Sequence, residues 1–146
     1  MASVKETNPK DAVGIRKAPM STVSCLVLQE LGVAMLEGAR KYGRHNYRVS
    51  GVRASVYKDA AKRHIDAWWE GQDIDPGSGL SHVTKAIASL VVLRDAMINN
   101  KLIDDRPPGL NEEEMEKFQA YLQNAVDKVF EMYPESKEAF VRCPKK

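Results

Sequence analysis

The sequence has little of what marks secreted or membrane proteins. Its two cysteines, Cys25 and Cys143, lie far apart, so no disulfide framework is expected and a reducing compartment fits. The start shows no apolar run followed by a small-residue cleavage site. The longest apolar-rich stretch, AIASLVVL at 86–93, is too short to span a bilayer. We therefore expect a cytoplasmic protein with no membrane partner.

An excess of charge of one sign is also lacking. The formal net charge is +2, without the strongly basic balance of nucleic-acid-binding proteins, so no nucleic-acid partner is expected. Residues 1–19 form a mildly basic arm. This arm either reaches a phosphate group or is simply solvated.

Several fingerprints of enzyme chemistry are absent as well. The sequence has no G-x-x-x-x-G-K-[ST], no G-x-G-x-x-G and no G-x-S-x-G. These absences exclude the P-loop, the Rossmann fingerprint and the hydrolase nucleophile elbow. His64 and Asp66 are not adjacent, which weakens a phosphohydrolase of the HD type.

Helical periodicity is what the sequence does have. Four segments repeat apolar residues at steps of three and four, and none alternates as a strand would. The expected helices run from after Pro19 to Tyr42, from Val52 to Trp69, from Gly79 or Leu80 to Asn99, and from Asn111 to Tyr133. Ser21 or Thr22 is the expected cap of the first helix. The sequence predicts one all-α domain over 1–146, a four-helix antiparallel bundle with an extended arm at 1–19 and a tail at 134–146.

The segment NEEEMEKF at 111–118 contains the E-E-x-x-E of a metal-binding pattern. However, Asn111 with Glu114 three residues later is typical of a capping box, and acids in a first turn favour the helix dipole. No E-x-x-D follows downstream. We therefore interpret this segment as the start of the fourth helix.

A second acidic segment, HIDAWWEGQDIDPGSGLSH at 64–82, joins the second and third helices. Glu70 and Asp73 form E-x-x-D. Carboxylate oxygens suit Mg²⁺, and Mn²⁺ also accepts the imidazole of a histidine such as His64 or His82. The alternative is a turn shaped by DPGSG, with solvated acids and a histidine that belongs to the core.

The segment EGARKYGRHNYR at 37–48 concentrates positive charge at the end of the first helix. Lys41 and Arg44 suit phosphate oxygens, while Asn46 and Tyr47 are candidates for contacts to a base or sugar. The alternative is an ordinary helix end whose basic residues complement the helix dipole.

These segments occur in one order along the chain. It reads N-P-K-D-x-x-G-x-x-K-x-P over 8–19, G-A-x-K-Y-G-x-x-N-[aromatic] over 38–47, R-H-x-x-A-W over 63–68 and G-x-D-x-D-x-x-x-G-L-x-H over 71–82. The ordered set resembles the phage family of dATP/dGTP diphosphohydrolases, and within it the MazZ-type enzymes. That family is related to the MazG-like all-α nucleotide pyrophosphatases, so the resemblance implies a MazG-like bundle.

The resemblance also implies an activity. A metal-dependent enzyme of this family would convert dGTP, with dATP as a further candidate, to the monophosphate and pyrophosphate. The dGMP would supply 2-aminoadenine nucleotide synthesis in a phage-infected host cell. The implied cofactor is two or more Mg²⁺ or Mn²⁺ ions. The implied assembly is a homo-oligomer, with a tetramer favoured over a dimer.

The residue types and the resemblance together nominate a site of acids, histidines and basic side chains. The candidate metal ligands are Glu37, Glu70, Asp73, Asp75 and His82. The candidate catalytic residues are Glu70, Asp73, Asp75 and His64. The candidate nucleotide-binding residues are Lys10, Lys17, Lys41, Arg44, Asn46, Tyr47 and Lys85.

Two departures from the family pattern affect this ligand set. Gln72 stands where relatives often have Glu, and Lys85 and Ser89 stand where relatives often have His and Asn. A different class of function stays open beside the enzyme. It is a non-catalytic helical module that binds a nucleotide or a partner through residues 37–48.

Overall fold

The structure is a computed structural model and describes residues 8–143. Its helices and strands, in chain order, are α1 (Pro9–Gly14), α2 (Cys25–Tyr42), β1 (Val52–Arg53), α3 (Ala54–Trp69), α4 (His82–Ile98), β2 (Leu102–Ile103) and α5 (Glu112–Met132). Single 3₁₀ turns occur at Met20–Thr22 and Asn46–Arg48. The all-α class predicted from the sequence is confirmed. Within the described residues, every helix is too short or too polar to cross a membrane.

Side-chain caps begin the long helices. Ser24 caps α2 by accepting a hydrogen bond from the backbone N–H of Val27, so this helix begins later than the predicted Ser21 or Thr22. Ser81 caps α4 in the same way. Asn111 and Glu114 form the predicted capping box at the start of α5. These caps satisfy N–H groups that a helix start leaves without partners.

Helix α4 is the centre of the fold, because both α2 and α3 pack on it. Its Val92 and Ala96 form the buried core cluster with Val52, and Ala96 is wholly inaccessible to solvent. Small side chains on the facing helices, such as the buried Ala34 and Ala61, allow close approach of the backbones. The three helices therefore form the packed body of the protein.

A short parallel pairing, which the sequence did not predict, ties the two ends of this body together. Val52 pairs with Leu102 and Arg53 with Ile103. Just beyond the pairing, Asp105 accepts hydrogen bonds from the backbone N–H and the hydroxyl of Ser55 in the first turn of α3. The chain that follows α4 is therefore fixed to the start of α3.

The described structure differs from the predicted four-helix bundle at α5. No residue of α5 is buried, and all 21 of its residues are exposed. Residues 104–111, which include Pro107 and Pro108, have no regular structure and connect the three-helix body to α5. Its amphipathic pattern is real, but it does not complete the core of its own chain.

The ends of the chain also refine the prediction. The predicted extended arm contains the short helix α1, which Asn8 caps and which begins with Pro9. Residues 1–7 of the arm and 144–146 of the tail lie outside the described residues. The described part of the tail, 134–143, contains no helical turn.

Candidate functional site

The acidic turn between α3 and α4 is shaped by two glycines and by its own aspartate. Gly71 and Gly79 have φ of 106° and 74°, a backbone region that favours glycine. Asp75 accepts hydrogen bonds from the Gly77 backbone N–H at 3.1 Å and from the Ser78 hydroxyl at 2.9 Å. The Gly77 N–H, followed by Ser78 and the charge of Lys85, lowers the pKa of Asp75. Asp75 is therefore ionised, and these two hydrogen bonds fix the orientation of its carboxylate.

Two histidines meet where this turn enters α4. The Nδ1 atoms of His64 and His82 lie 2.8 Å apart, and Nε2 of His82 lies 2.7 Å from Oε1 of Gln72. Because an amide oxygen only accepts, His82 donates from Nε2, and with both rings neutral its Nδ1 accepts from Nδ1 of His64. In this tautomer Nε2 of His64 carries a free lone pair. Burial, followed by the electrostatic effect of the adjacent His82, lowers the pKa of His64.

A cluster of two lysines and two carboxylates lies beside the histidines. Nζ of Lys85 lies 2.9 Å from Oε2 of Glu37 and 4.0 Å from Oδ2 of Asp75. Nζ of Lys41 lies 2.6 Å from Oε1 of Glu37. The hydrogen bond from Lys41, followed by the one from Lys85, lowers the pKa of Glu37. The side chain of Lys85 is 17% exposed, so this pair is better shielded than a surface salt bridge.

A cavity of about 340 Å³ opens between the last turns of α2, the 3₁₀ turn and α4. The predicted nucleotide-binding residues that line it are Lys41, Arg44, Asn46, Tyr47 and Lys85. Glu37 lines it as well. Gly43 and His45 both have positive φ, which bends the chain tightly around the mouth of the cavity. The basic segment and the acidic turn therefore meet through Glu37 and Lys85.

Other nominated residues do not join this group. The side chains of Glu70 and Asp73 are exposed and make no hydrogen bond or ion pair within residues 8–143. Lys10 and Lys17 are exposed on the arm and likewise have no side-chain partner there. His82 is buried, with both ring nitrogens engaged. The ligand set named from the sequence stays a prediction.

Comparison with known proteins identifies the family. The family model described as "dATP/dGTP diphosphohydrolase, N-terminal" matches residues 7–106, which is more than half of the chain. The chain belongs to this family. Among curated proteins, a dATP/dGTP diphosphohydrolase of Salmonella phage PMBT28 is 30% identical over 102 residues. The match covers 66% of the chain and 34% of the relative, so the chain spans about a third of that protein's length. No solved structure matches the chain.

The family match ends at residue 106, before α5. The matched region therefore contains the acidic turn, the two histidines, the lysine–carboxylate cluster and the cavity. All the residues nominated as catalytic or nucleotide-binding lie within it.

Sequence reasoning did not nominate Glu30 or Tyr57. Glu30 accepts a hydrogen bond at 2.6 Å from the buried Thr84. Tyr57 lines the cavity from α3 together with Tyr47. One signal was available, because Glu30 and Glu37 are two helical turns apart and therefore share a face of α2. Their partners on α4 are about fifty residues away, and no local pattern pairs residues at that distance.

The donor atoms allow a test of the metal that the family resemblance implies. Among residues 8–143, no three His, Cys, Asp or Glu side chains lie close enough to share an ion. Two carboxylates with lowered pKa values, Glu37 and Asp75, lie 2.9 and 4.0 Å from Nζ of Lys85. Mg²⁺ is usually held by one or two carboxylates together with substrate phosphates and water. Glu37 in the lining of the cavity, with Asp75 beside the same lysine, fits that mode of binding.

Proposed function

We propose that the protein is a diphosphohydrolase that converts dGTP to dGMP and pyrophosphate, with dATP as a second substrate. One observation carries this proposal. Lys85 contacts Glu37, which lines the cationic cavity, and lies beside Asp75 of the acidic turn. Phosphoanhydride hydrolysis depends on charge neutralisation and on the positioning of water, and it needs no covalent nucleophile. The family name and the named relative support the substrate class.

Lys41 and Lys85 are the proposed phosphate-binding groups. Without substrate, Glu37 holds both ammonium groups at the wall of the cavity. A triphosphate offers stronger acceptors than a single carboxylate, so it would draw both lysines into charge-assisted hydrogen bonds. Arg44 lines the same wall and adds a planar donor for a terminal phosphate.

His64 is the proposed base. Its lowered pKa keeps the imidazole neutral near pH 7, and its Nε2 lone pair is the atom that would accept the proton of the attacking water. The oxygen of that water bonds to the α-phosphorus, the bond between the α-phosphorus and the bridging oxygen breaks, and pyrophosphate leaves. His82 and Gln72 fix the orientation of the ring without contacting substrate.

Glu37 and Asp75 are the proposed residues that hold Mg²⁺ or Mn²⁺ together with the substrate phosphates. When bound, the ions supply charge neutralisation and activation of water. Glu70 and Asp73 remain candidate ligands and candidate catalytic residues from the sequence, and their exposure leaves them open to ions that arrive with the nucleotide.

Tyr47, Tyr57 and Asn46 are the proposed contacts to the base and sugar. The two tyrosines line the cavity, and an aromatic ring offers a stacking surface to a purine. The amide of Asn46 can both donate and accept hydrogen bonds at a base edge. In a phage-infected host cell, the dGMP produced would enter 2-aminoadenine nucleotide synthesis. The proposed assembly is a homotetramer.

Direct assay tests this function. The full chain is incubated with each deoxynucleoside triphosphate and either Mg²⁺ or Mn²⁺, and pyrophosphate and the monophosphate are measured together. We expect equal amounts of both products from dGTP, and activity that chelation of the metal abolishes. Binding of dGTP without turnover of any nucleotide would contradict the proposal and favour the non-catalytic nucleotide-binding module.

A further inference from the structure

Helix α5 carries an apolar stripe that no part of the described chain buries. Met115, Phe118, Leu122 and Val129 recur along one side of the helix at steps of three, four and seven. Each keeps between 39% and 52% of its surface exposed. A helix gains most of its stability in proteins by packing an amphipathic face, and a helix alone in water is marginal. The stripe on α5 therefore needs a partner surface.

A second uncovered stripe runs along α2. Leu26, Val33 and Leu36 follow one another at steps of seven and three, and each is at least half exposed. Residues spaced by seven recur on both helices, which is the spacing of helices that interlock their side chains along a seam. Both stripes therefore consist of exposed apolar side chains, and both contain residues spaced by seven.

The surface area of the chain indicates the size of the missing contact. A compact chain of 16.3 kDa exposes about 7,500 Å², whereas this chain exposes 12,905 Å². The ten residues outside the described range could add at most about 1,600 Å², at about 1.45 Å² per dalton of extended chain. The remaining excess is several times the roughly 800 Å² that each partner buries in a standard interface.

The linker before α5 favours a second copy over folding back. Asp105 is fixed to Ser55, and Pro107 and Pro108 follow at once. Proline-rich segments are extended and semi-rigid, and no residue of α5 is buried against its own chain. An arm of this kind reaches a neighbouring molecule more readily than its own α2.

Charge fixes the direction of the contact. The first turns of α5 carry Glu112 and Glu116, and the last turn of α2 carries Arg40. None of the three forms an ion pair within the part of the chain that the structure describes. We propose that α5 of one copy packs antiparallel along the α2 stripe of a second copy, with its acidic start beside the basic end of that helix, and that the exchange is reciprocal.

The first experiment measures the mass of the full chain by light scattering at micromolar concentration. We expect the unchanged protein to have at least twice the monomer mass, and Leu122→Asp to reduce the measured mass by at least half. Asn124→Asp adds the same charge on the other side of α5 and is expected to keep the full mass. A monomeric unchanged protein, or an unchanged mass in Leu122→Asp, would overturn the proposal.

The second experiment asks which helix faces which. Val33→Asp breaks the α2 stripe and is also expected to lose mass. Mixing it with Leu122→Asp leaves one intact α5 and one intact α2, so the mixture is expected to form a species heavier than either variant alone. A mixture in which both variants stay at their separate masses would contradict the pairing of α5 with α2.

Hydrogen exchange keeps the proposal testable if either variant folds poorly. In the unchanged protein, the amides of α5 and of the outer side of α2 are expected to gain protection together as concentration rises. Salt is expected to weaken this gain, because the pairing of acidic and basic helix ends is screened. Protection of α5 that does not depend on concentration would indicate packing within one chain and would contradict the exchange.

Discussion

Helices α4 and α5 show that signals for forming a helix and signals for burying it are separate. α5 has the more complete start, with a reciprocal capping box and three acids in its first turn, yet none of its residues is buried. α4 has a single serine cap, yet five of its residues are buried and both α2 and α3 pack on it. Local sequence therefore decides where a helix begins, while the residues around it decide what it covers.

The largest expected effect comes from placing a carboxylate in each helix and comparing the free energies of unfolding. Ala96→Asp places a carboxylate at a position with no solvent access, and we expect a loss of about 3 kcal/mol or more in the free energy of unfolding. Ala120→Asp, at an exposed position of α5, is expected to change it by less than about 0.5 kcal/mol. Urea unfolding followed by circular dichroism measures both. Equal losses would show that α5 belongs to the same cooperative unit.

The next test concerns a charge that α4 contributes to the proposed site. Lys85→Ala is expected to reduce kcat/KM for dGTP by about a hundredfold, the scale for removing one preorganised group that stabilises transition-state charge. Lys62→Ala removes a lysine that is paired with Asp66 on the exposed side of α3, and it is expected to leave activity unchanged. Initial-rate assays of pyrophosphate release compare the two. Equal activity of both variants would remove Lys85 from the site.

The third test is a pH dependence at the start of α4. The pKa of His64 is lower in the folded chain than its ordinary value of about 6.5, so the unfolded chain binds more protons near that pH. The stabilisation is complete above that value and is lost as pH falls below it through the lower pKa of the folded chain. We expect Tm to fall between pH 7.5 and 5.5, and to fall less in His64→Gln.

The carboxylates of Glu37 and Asp75 are not expected to change Tm between pH 7.5 and 5.5. The pKa values of Glu37 and Asp75 are lowered, so their contribution is present above their ordinary range near pH 4 and is lost only below it. An equal fall of Tm in His64→Gln and the unchanged protein would contradict the role given to His64.

The smallest test compares the two caps. Ser81→Ala and Asn111→Ala each remove a side-chain acceptor from a helix start, at a cost of about 1 kcal/mol. The loss at Ser81 is expected in the global unfolding free energy, because α4 is the core helix. The loss at Asn111 is expected only in the hydrogen exchange of α5. If both variants lowered the global unfolding free energy, α4 and α5 would not differ in their contribution to the core.

The sequence predicted what depends on near neighbours. The capping box at Asn111, the end of α3 at Trp69 and the clustering of Lys41 with Asn46 all follow from residues within a few turns of each other. The start of α2 was placed too early, because Ser21, Thr22 and Ser24 are all good caps and only the fold selects Ser24.

The rest depended on contacts between distant segments. Lys85 reaches Glu37 across 48 positions, and Asp105 caps α3 across 50. Gln72, which departs from the family pattern, proves to be the hydrogen-bond partner that orients His82. Periodicity placed the helices but could not show which of their polar residues would meet.

The cap that Asp105 supplies to α3 also marks the boundary of the family match. The Asp105 carboxylate accepts hydrogen bonds from Ser55 one residue before that match ends at 106. The residues that form α2, α3 and α4 all precede this contact, so α5 follows the matched region from a point that is held in place. The match covers 34% of the phage relative, so in that protein the same region belongs to a longer chain.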